Sequence, residues 1–316
     1  MGRGTIAVWL WIGACASTAP RPALPEVQTW AMQLTGIDDP RRMERLEESD
    51  YQLLVIDQVD SVRGLEGFKT AELVKRLRER RLVLAYLNVG QAEEYRTHWS
   101  TQWRAPTKEK RGDPPFLLTV DPDGWKGDYP VAYWDKNWIE LLHRRIDRIV
   151  GLGFDGVYCD WVLGYEDPTV VQAARAAGVD PRAAMASLLR DLRIRAHARN
   201  PGFLLVMQNG AGLLLSNPEL AAWVDGVSQE AVSFYGKAGA KWDDPASTDR
   251  PIPATGDWST ETLMQRLRAA SGMGLPIFVI DYAAKPENIA LARRRAGSIG
   301  AIPFISRAPL DRLPND

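Results

Sequence analysis

The chain has 316 residues, with 39 Lys and Arg against 40 Asp and Glu, a formal net charge of −1. Apolar residues make up 45% and charged residues 25%, which excludes wholesale disorder, and the balanced charge excludes a dedicated nucleic-acid binder, which needs a basic stripe. Three His and two Cys leave little room for a His/Cys metal centre, while 12 Trp, 9 Tyr and 40 acidic residues direct attention to carboxylate chemistry and aromatic binding faces.

The first 14 residues, MGRGTIAVWLWIGA, combine Arg3, a short apolar run from Ile6 to Ile12 and the small pair Gly13-Ala14. This is a leader with a cleavage point, and the run is far shorter than the roughly 20 residues of a spanning helix. Cys15 follows at once, so Ile-Gly-Ala-Cys resembles a lipoprotein signal whose cysteine carries the lipid; a plainly cleaved secretory signal is the alternative. Residues 15–27 read as a Pro/Ala-rich tether and 28–316 as the folded domain. The expected location is extracytoplasmic, with membrane attachment only through the lipid, and the expected state is a monomer. Only Cys159 remains beside the anchor, so no disulfide framework is expected.

From Thr29 onward short apolar runs alternate with longer stretches of helical period, the pattern of parallel βα units. The eight runs are Thr29–Thr35, Gln52–Asp57, Leu82–Asn88, Gly156–Val162, Phe203–Asn209, Gly226–Glu230, Pro276–Asp281 and Ala301–Ser306. Helices are expected over Arg41–Glu48, Thr70–Arg80, Asn137–Val150, Pro181–Ala198, Thr260–Ser271 and Glu287–Ala296. In Asn137–Val150 the residues Trp138, Leu142, Ile146, Ile149 and Val150 form one apolar stripe at spacings of three and four. Asp180-Pro181 and Ser259-Thr260-Glu261 have the chemistry of helix starts. Although a length prior of roughly 150 residues per domain suggests two domains, eight strands with intervening helices predict one closed (β/α)8 TIM barrel, a fold of about 250 residues. Two connectors exceed plain turns. Residues 91–135 carry Trp99, Trp103, Phe116, Trp125, Tyr129, Tyr133 and Trp134, and residues 233–258 carry Phe234, Tyr235 and Trp242. Both follow a strand, on the face where barrels place their sites.

Several strands close on an acid: Asp57, Asp160, Glu230 and Asp281. A carboxylate at the end of an apolar strand is costly unless it is paired or solvated in a cleft, and in a barrel these ends converge. Two carboxylates with separated pKa values suffice to cleave a glycosidic bond. Asp160 and Glu230 are the candidate catalytic pair, whereas Asp57 and Asp281 are candidates either for substrate contact or for structural pairing. Tyr158, Gln208 and Asn209 lie at strand ends, suited to hydrogen-bonding hydroxyls. Glu93 and Glu94 read as loop charges, and His98, His143 and His197 are scattered. None of the nine Lys closes a strand, which argues against Schiff-base chemistry. No cofactor and no metal is expected.

The segments Ala85-Tyr-Leu-Asn-Val-Gly-Gln-Ala-Glu93, Tyr133-Trp134-Asp135, Gly153-Phe-Asp-Gly-Val-Tyr-Cys-Asp160-Trp-Val-Leu-Gly-Tyr165, Gln208-Asn-Gly, Asp225-Gly-Val-Ser-Gln-Glu230 and Pro303-Phe-Ile-Ser resemble glycoside hydrolase family 114 in order and spacing. The resemblance spans Trp30 to Leu313. It implies an endo-α-1,4-polygalactosaminidase-like enzyme acting on a galactosamine-rich polysaccharide by retention, with Asp160 as nucleophile and Glu230 as acid/base. The candidate residues for substrate contact are Asp57, Tyr86, Asn88, Trp134, Tyr158, Tyr165, Gln208, Asn209, Asp281 and Tyr282, with Trp99, Trp134 and Tyr165 expected as stacking platforms. Asn88, Gln91 and Ala211 depart from the family pattern, where a small hydroxyl residue, Glu and Glu are expected. Two other readings stay open: a Mg²⁺ enzyme using Asp57, Asp160, Glu230 and Asp281 as oxygen ligands, and a surface lectin that binds glycan without cutting it.

Overall fold

The computed structural model describes residue 24 and residues 27–314. The leader, Cys15 and most of the tether lie outside the described residues. Val27 is already buried and Leu24 packs against the same core, so the packed domain reaches slightly into the segment read as tether.

The eight expected strands form one parallel sheet: β1 (Trp30–Gln33), β2 (Leu53–Ile56), β3 (Leu82–Asn88), β4 (Gly156–Asp160), β5 (Leu204–Gln208), β6 (Gly226–Glu230), β7 (Ile277–Tyr282) and β8 (Ile302–Ser306). Each pairs with the next in parallel register from β1 to β8. Between β8 and β1 closure depends on side chains. The Trp30 indole donates to the Ile302 carbonyl at 2.9 Å, and its ring packs edge-on against Phe278 at 5.5 Å and tilted against Phe304 at 5.7 Å. The result is a nearly closed (β/α)8 barrel with Trp30 as the seam.

Helices α1 (Pro40–Glu48), α2 (Thr70–Leu77), α3 (Lys136–Gly151), α4 (Pro168–Ala176), α5 (Pro181–His197), α6 (Ala211–Ser216), α7 (Thr260–Gly272) and α8 (Pro286–Gly297) fill the crossovers. Their starts are chemically marked. Asp39, Asp135, Asp167 and Asp180 each accept two N–H groups of the first turn, and Ser259 accepts one, which offsets the unpaired donors of a helix N-terminus. The apolar stripe of α3 is buried as its spacing requires, but it includes Arg145, 6% exposed. Helices α4 and α6 have no counterpart among the expected elements. The first is short and Ala/Val-rich, and the second is six residues without periodicity.

The two long connectors are built over the C-terminal face. In the first, Gln91–Glu93 pairs antiparallel with Asp128–Pro130; in the second, Phe234–Tyr235 pairs with Arg250–Pro251.

Candidate active site

Strand alternation puts Tyr86, Tyr158, Asp160, Gln208, Ser228, Glu230 and Tyr282 on the inner face of their strands. The Tyr158 hydroxyl donates to Ser228 Oγ at 2.8 Å across β5, inside the barrel. One layer above, at the C-terminal ends of β4 and β6, Asp160 and Glu230 line a cavity of about 380 Å³.

Each carboxylate is held by a phenol from a neighbouring strand. Tyr86 OH donates to Asp160 Oδ2 at 2.5 Å, and the Trp161 N–H donates to Asp160 Oδ1 at 2.7 Å. Tyr282 OH donates to Glu230 Oε1, and Gln208 Nε2 donates to Glu230 Oε2 at 2.5 Å. Burial pushes both acids up, because a charged group loses solvation there. For Asp160, the Tyr86 and Trp161 donors offset part of that rise and the charges of Glu93 and Asp121 add to it, leaving it at about 6. For Glu230, the Tyr282 and Gln208 donors likewise oppose burial, but the charges of Asp160 and Asp123 add to it, leaving it at about 7. Both acids are raised, Glu230 further from its ordinary value than Asp160.

Backbone strain marks the same strand ends. Trp161, Asn209 and Ala231 directly follow Asp160, Gln208 and Glu230, and all three adopt left-handed φ of 59°, 55° and 54°. Such conformations cost of order 1–3 kcal/mol and persist where the surroundings over-determine them. Asn209 Oδ1 accepts from the Glu230 N–H at 2.9 Å and from Gln229 Nε2 at 2.8 Å. Gly90 lies so close to Trp161 that an added Cβ would stand 2.5 Å from the Trp161 carbonyl oxygen.

A buried ion network supports the wall. Arg96 grips Glu93 with Nε and Nη2 at 2.7 and 2.8 Å, and its Nη1 reaches Asp57 at 2.6 Å and Ser61 Oγ at 2.9 Å. Its guanidinium also lies 5.9 Å from the Tyr86 ring centroid. Glu93 is therefore not a loop charge. It is 0% exposed, and although burial opposes ionisation, Arg96 and Arg145 hold it at about 2. The hairpin carries it inward, which its position after a strand does not reveal.

Of the residues nominated for substrate contact, Asp57, Tyr86, Gln208, Asn209 and Tyr282 lie in the cavity wall. Five others lie elsewhere. Asn88 is buried and donates to Gln91 Oε1 at 3.0 Å, while Gln91 Nε2 donates to Asp121 at 2.6 Å; the two departures at 88 and 91 thus satisfy each other. Tyr158 sits one layer below. Asp281 is 0% exposed and accepts from the Ser233 and Phe234 N–H groups at 2.6 and 2.9 Å, which anchors the second long connector. Trp134 packs edge-on to Tyr133 at 5.1 Å. Tyr165 is buried under the Arg182 guanidinium at 4.4 Å. Trp99, expected as a stacking platform, is buried between Trp103 and Tyr129. Trp99 and Trp134 pack within the long connector, and the rings that line the cavity beside the two phenols are Trp125, Tyr95 and Trp161. Trp125 has a local signal: Asp121 Oδ1 accepts the N–H groups of Asp123 and Trp125, both at 2.9 Å, the turn chemistry of an Asp-Pro-Asp-Gly run.

The wall is acidic. Asp38, Asp57, Asp123 and Asp128 join Asp160 and Glu230, and among the described residues lining it Arg96 is the sole cation. Asp128 is raised to about 8 by burial and by the charges of Glu93, Asp121 and Asp160. Asp57, Asp160, Glu230 and Asp281 have separate protein partners, and among the described residues no three acidic, His or Cys side chains converge as a ligand set.

The comparisons with known proteins agree with this geometry. The model of glycoside-hydrolase family GH114 matches residues 13–313. An uncharacterised protein of Deinococcus radiodurans is 33% identical over 295 residues, covering 93% of this chain and 84% of its own length. One from Thermotoga maritima is 28% identical, covering 89% and 81%. Among solved structures, the glycoside hydrolase domain of PelA from Pseudomonas aeruginosa superposes with a TM-score of 0.63 at 22% identity, over 91% of this chain and 97% of that domain. Ega3 of Aspergillus fumigatus, solved in complex with galactosamine, superposes with a TM-score of 0.62 at 19% identity, over 99% and 98%. These two likenesses establish a shared fold. The match along nearly its whole length places the chain in glycoside-hydrolase family GH114, and it is a glycoside hydrolase.

Proposed function

We propose that the protein hydrolyses an α-linked, galactosamine-rich polysaccharide by a two-carboxylate retaining mechanism. The observation that carries the mechanism is the pair itself: two buried acids at the strand ends, each clamped by a phenol, one at about 6 and the other at about 7. The lower one is the nucleophile. Asp160 attacks the anomeric carbon as its bond to the leaving oxygen breaks, and Glu230 gives that oxygen its proton. Glu230, now ionised, takes a proton from water, whose oxygen attacks the anomeric carbon and displaces Asp160. The acidic wall supports a cationic amino sugar, since a carboxylate-lined cleft concentrates positive ligands, and Ega3 binds galactosamine on the same fold. Asp128 is the carboxyl best placed to meet an ammonium group: burial and neighbouring acids disfavour its charge, and a cation would restore it. Extracytoplasmic anchoring through Cys15 belongs to the same proposal and is tested by metabolic labelling with a palmitate analogue, comparing wild type with Cys15→Ala.

The test is release of reducing ends from a partly deacetylated α-1,4-galactosamine polymer. Wild type should release them, with the α-anomer first by NMR, and Asp160→Asn should release none while keeping its circular dichroism spectrum. Binding of the polymer with no reducing ends released by wild type would sink the hydrolytic reading of this substrate. A β-anomer appearing first would overturn retention.

A further inference from the structure

A second cavity, of about 300 Å³, opens on the flank of the barrel between α3 and the segments that follow β2 and β3. Three guanidiniums of α3 line it, from Arg144, Arg145 and Arg148, together with Gln58, Thr97 and His98. Among the described residues, Arg148 pairs with Asp60, and the exposed Arg144 lies 3.9 Å from Glu140. Arg145 Nη1 lies 3.4 Å from Glu93, but that carboxylate already accepts both prongs of Arg96.

Three of the lining residues also carry a fully covered polar atom without a partner among the described residues: Arg145 Nη2, His98 Nε2 and Gln58 Oε1. Arg145 is 6% exposed and Gln58 0%, so solvent does not compensate them cheaply, and such groups are normally satisfied. Gln58 Nε2 donates to the Tyr86 carbonyl at 3.1 Å, which fixes its amide with Oε1 as the free acceptor. Burial, reinforced by the charges of Arg145, Arg96 and Arg63, pushes His98 down to about 3. It is therefore neutral and can donate from one ring nitrogen.

We propose that this flank cavity is a site for a small oxyanion, inorganic phosphate or a phosphomonoester. The oxygens of such a group accept from the Arg144 and Arg148 guanidiniums at the rim, with Arg145 adding positive charge beneath them. The site stands apart from the cleavage cavity, and it does not depend on which glycan is cut.

The test is isothermal titration of the full chain with sodium phosphate at pH 7, against sodium chloride at matched ionic strength, alongside glucose 6-phosphate. Wild type should bind phosphate one to one, with a saturable rise in Tm. The rim variant Arg144→Ala/Arg148→Ala should bind at least 10-fold more weakly. Arg145→Met tests the floor, and the rim variant keeps the proposal testable if that one does not fold. Tighter binding of the sugar phosphate than of the free ion would assign the site to a phosphorylated glycan. No saturable binding of either probe beyond the chloride control, or equal binding by the rim variant, would overturn the proposal.

Discussion

Tyr86 donates its hydroxyl to Asp160 Oδ2 at 2.5 Å across 74 residues of sequence, and Tyr282 does the same for Glu230. Each phenol lowers the pKa of the acid it holds, because it hydrogen-bonds the charged form. Tyr86→Phe should therefore raise Asp160, moving the acidic limb of the kcat/KM–pH profile upward. Tyr282→Phe should raise Glu230 and move the alkaline limb upward. In wild type the limbs should fall near 6 and 7, with the maximum between them. A pair of variants that lowers activity at every pH without moving either limb would show that the phenols only fill space.

The same pKa values bear on stability. Both acids are raised above ordinary carboxylate values, so the folded state binds more protons than the unfolded chain, and stability falls as pH rises from about 4 through 6 and 7. Asp160→Asn and Glu230→Gln should therefore raise Tm at pH 8, each through a stabilisation on the order of 1–3 kcal/mol, and have little effect at pH 4. Thermal melts at the two pH values check this. A loss of stability at pH 8 in both variants would contradict the burial cost.

Asp128→Asn should weaken apparent binding of the cationic polymer, raising KM by about 10-fold or more, the worth of a charge-assisted hydrogen bond. The effect should be much smaller on the fully N-acetylated polymer. Equal effects on both substrates would remove Asp128 from ammonium recognition.

Gly90→Ala tests the strained turn after Asp160, the proposed nucleophile. The new methyl would stand 2.5 Å from the Trp161 carbonyl oxygen, and Trp161 supplies one of the two hydrogen bonds to Asp160. Turnover should slow by about 10-fold or more, with a stability cost of about 1–3 kcal/mol. Wild-type turnover in this variant would show that Trp161 moves without disturbing Asp160.

Arg96→Ala should cost about 3–5 kcal/mol, since it leaves Glu93, fully buried, without its two-pronged partner. Denaturant midpoints measure the loss, and Glu93→Gln in the same background should recover part of it.

Much of this is local enough to read from residue order. Every barrel strand falls on an apolar run bounded by turn chemistry, and Leu82–Asn88 and Gly226–Glu230 match to the residue. Asp160 and Glu230 are legible as candidates because a carboxylate closing an apolar strand is costly unless it is paired or lies in a cleft; Asp281 takes the first course and these two line the cavity. The Asp residues that start α3, α4 and α5 act within three residues of themselves. Glu93 reads as a loop charge from residue order because its partner Arg96 is held by Asp57 and Ser61, which precede it by more than thirty residues. The aromatics expected to stack on sugar, Trp99, Trp134 and Tyr165, go into packing, since large rings bury area wherever a long connector must be stabilised.

Residue order alone thus determined the barrel, the two acids and the face they share, because alternation along a strand and the cost of a strand-end charge act over a few residues. The fold alone decided which donors hold each acid, which rings reach the cavity, and why Arg145 lies on an apolar stripe. Those outcomes depend on burial and on partners brought together from distant strands, and hydrogen bonds and charges act through space rather than along the chain.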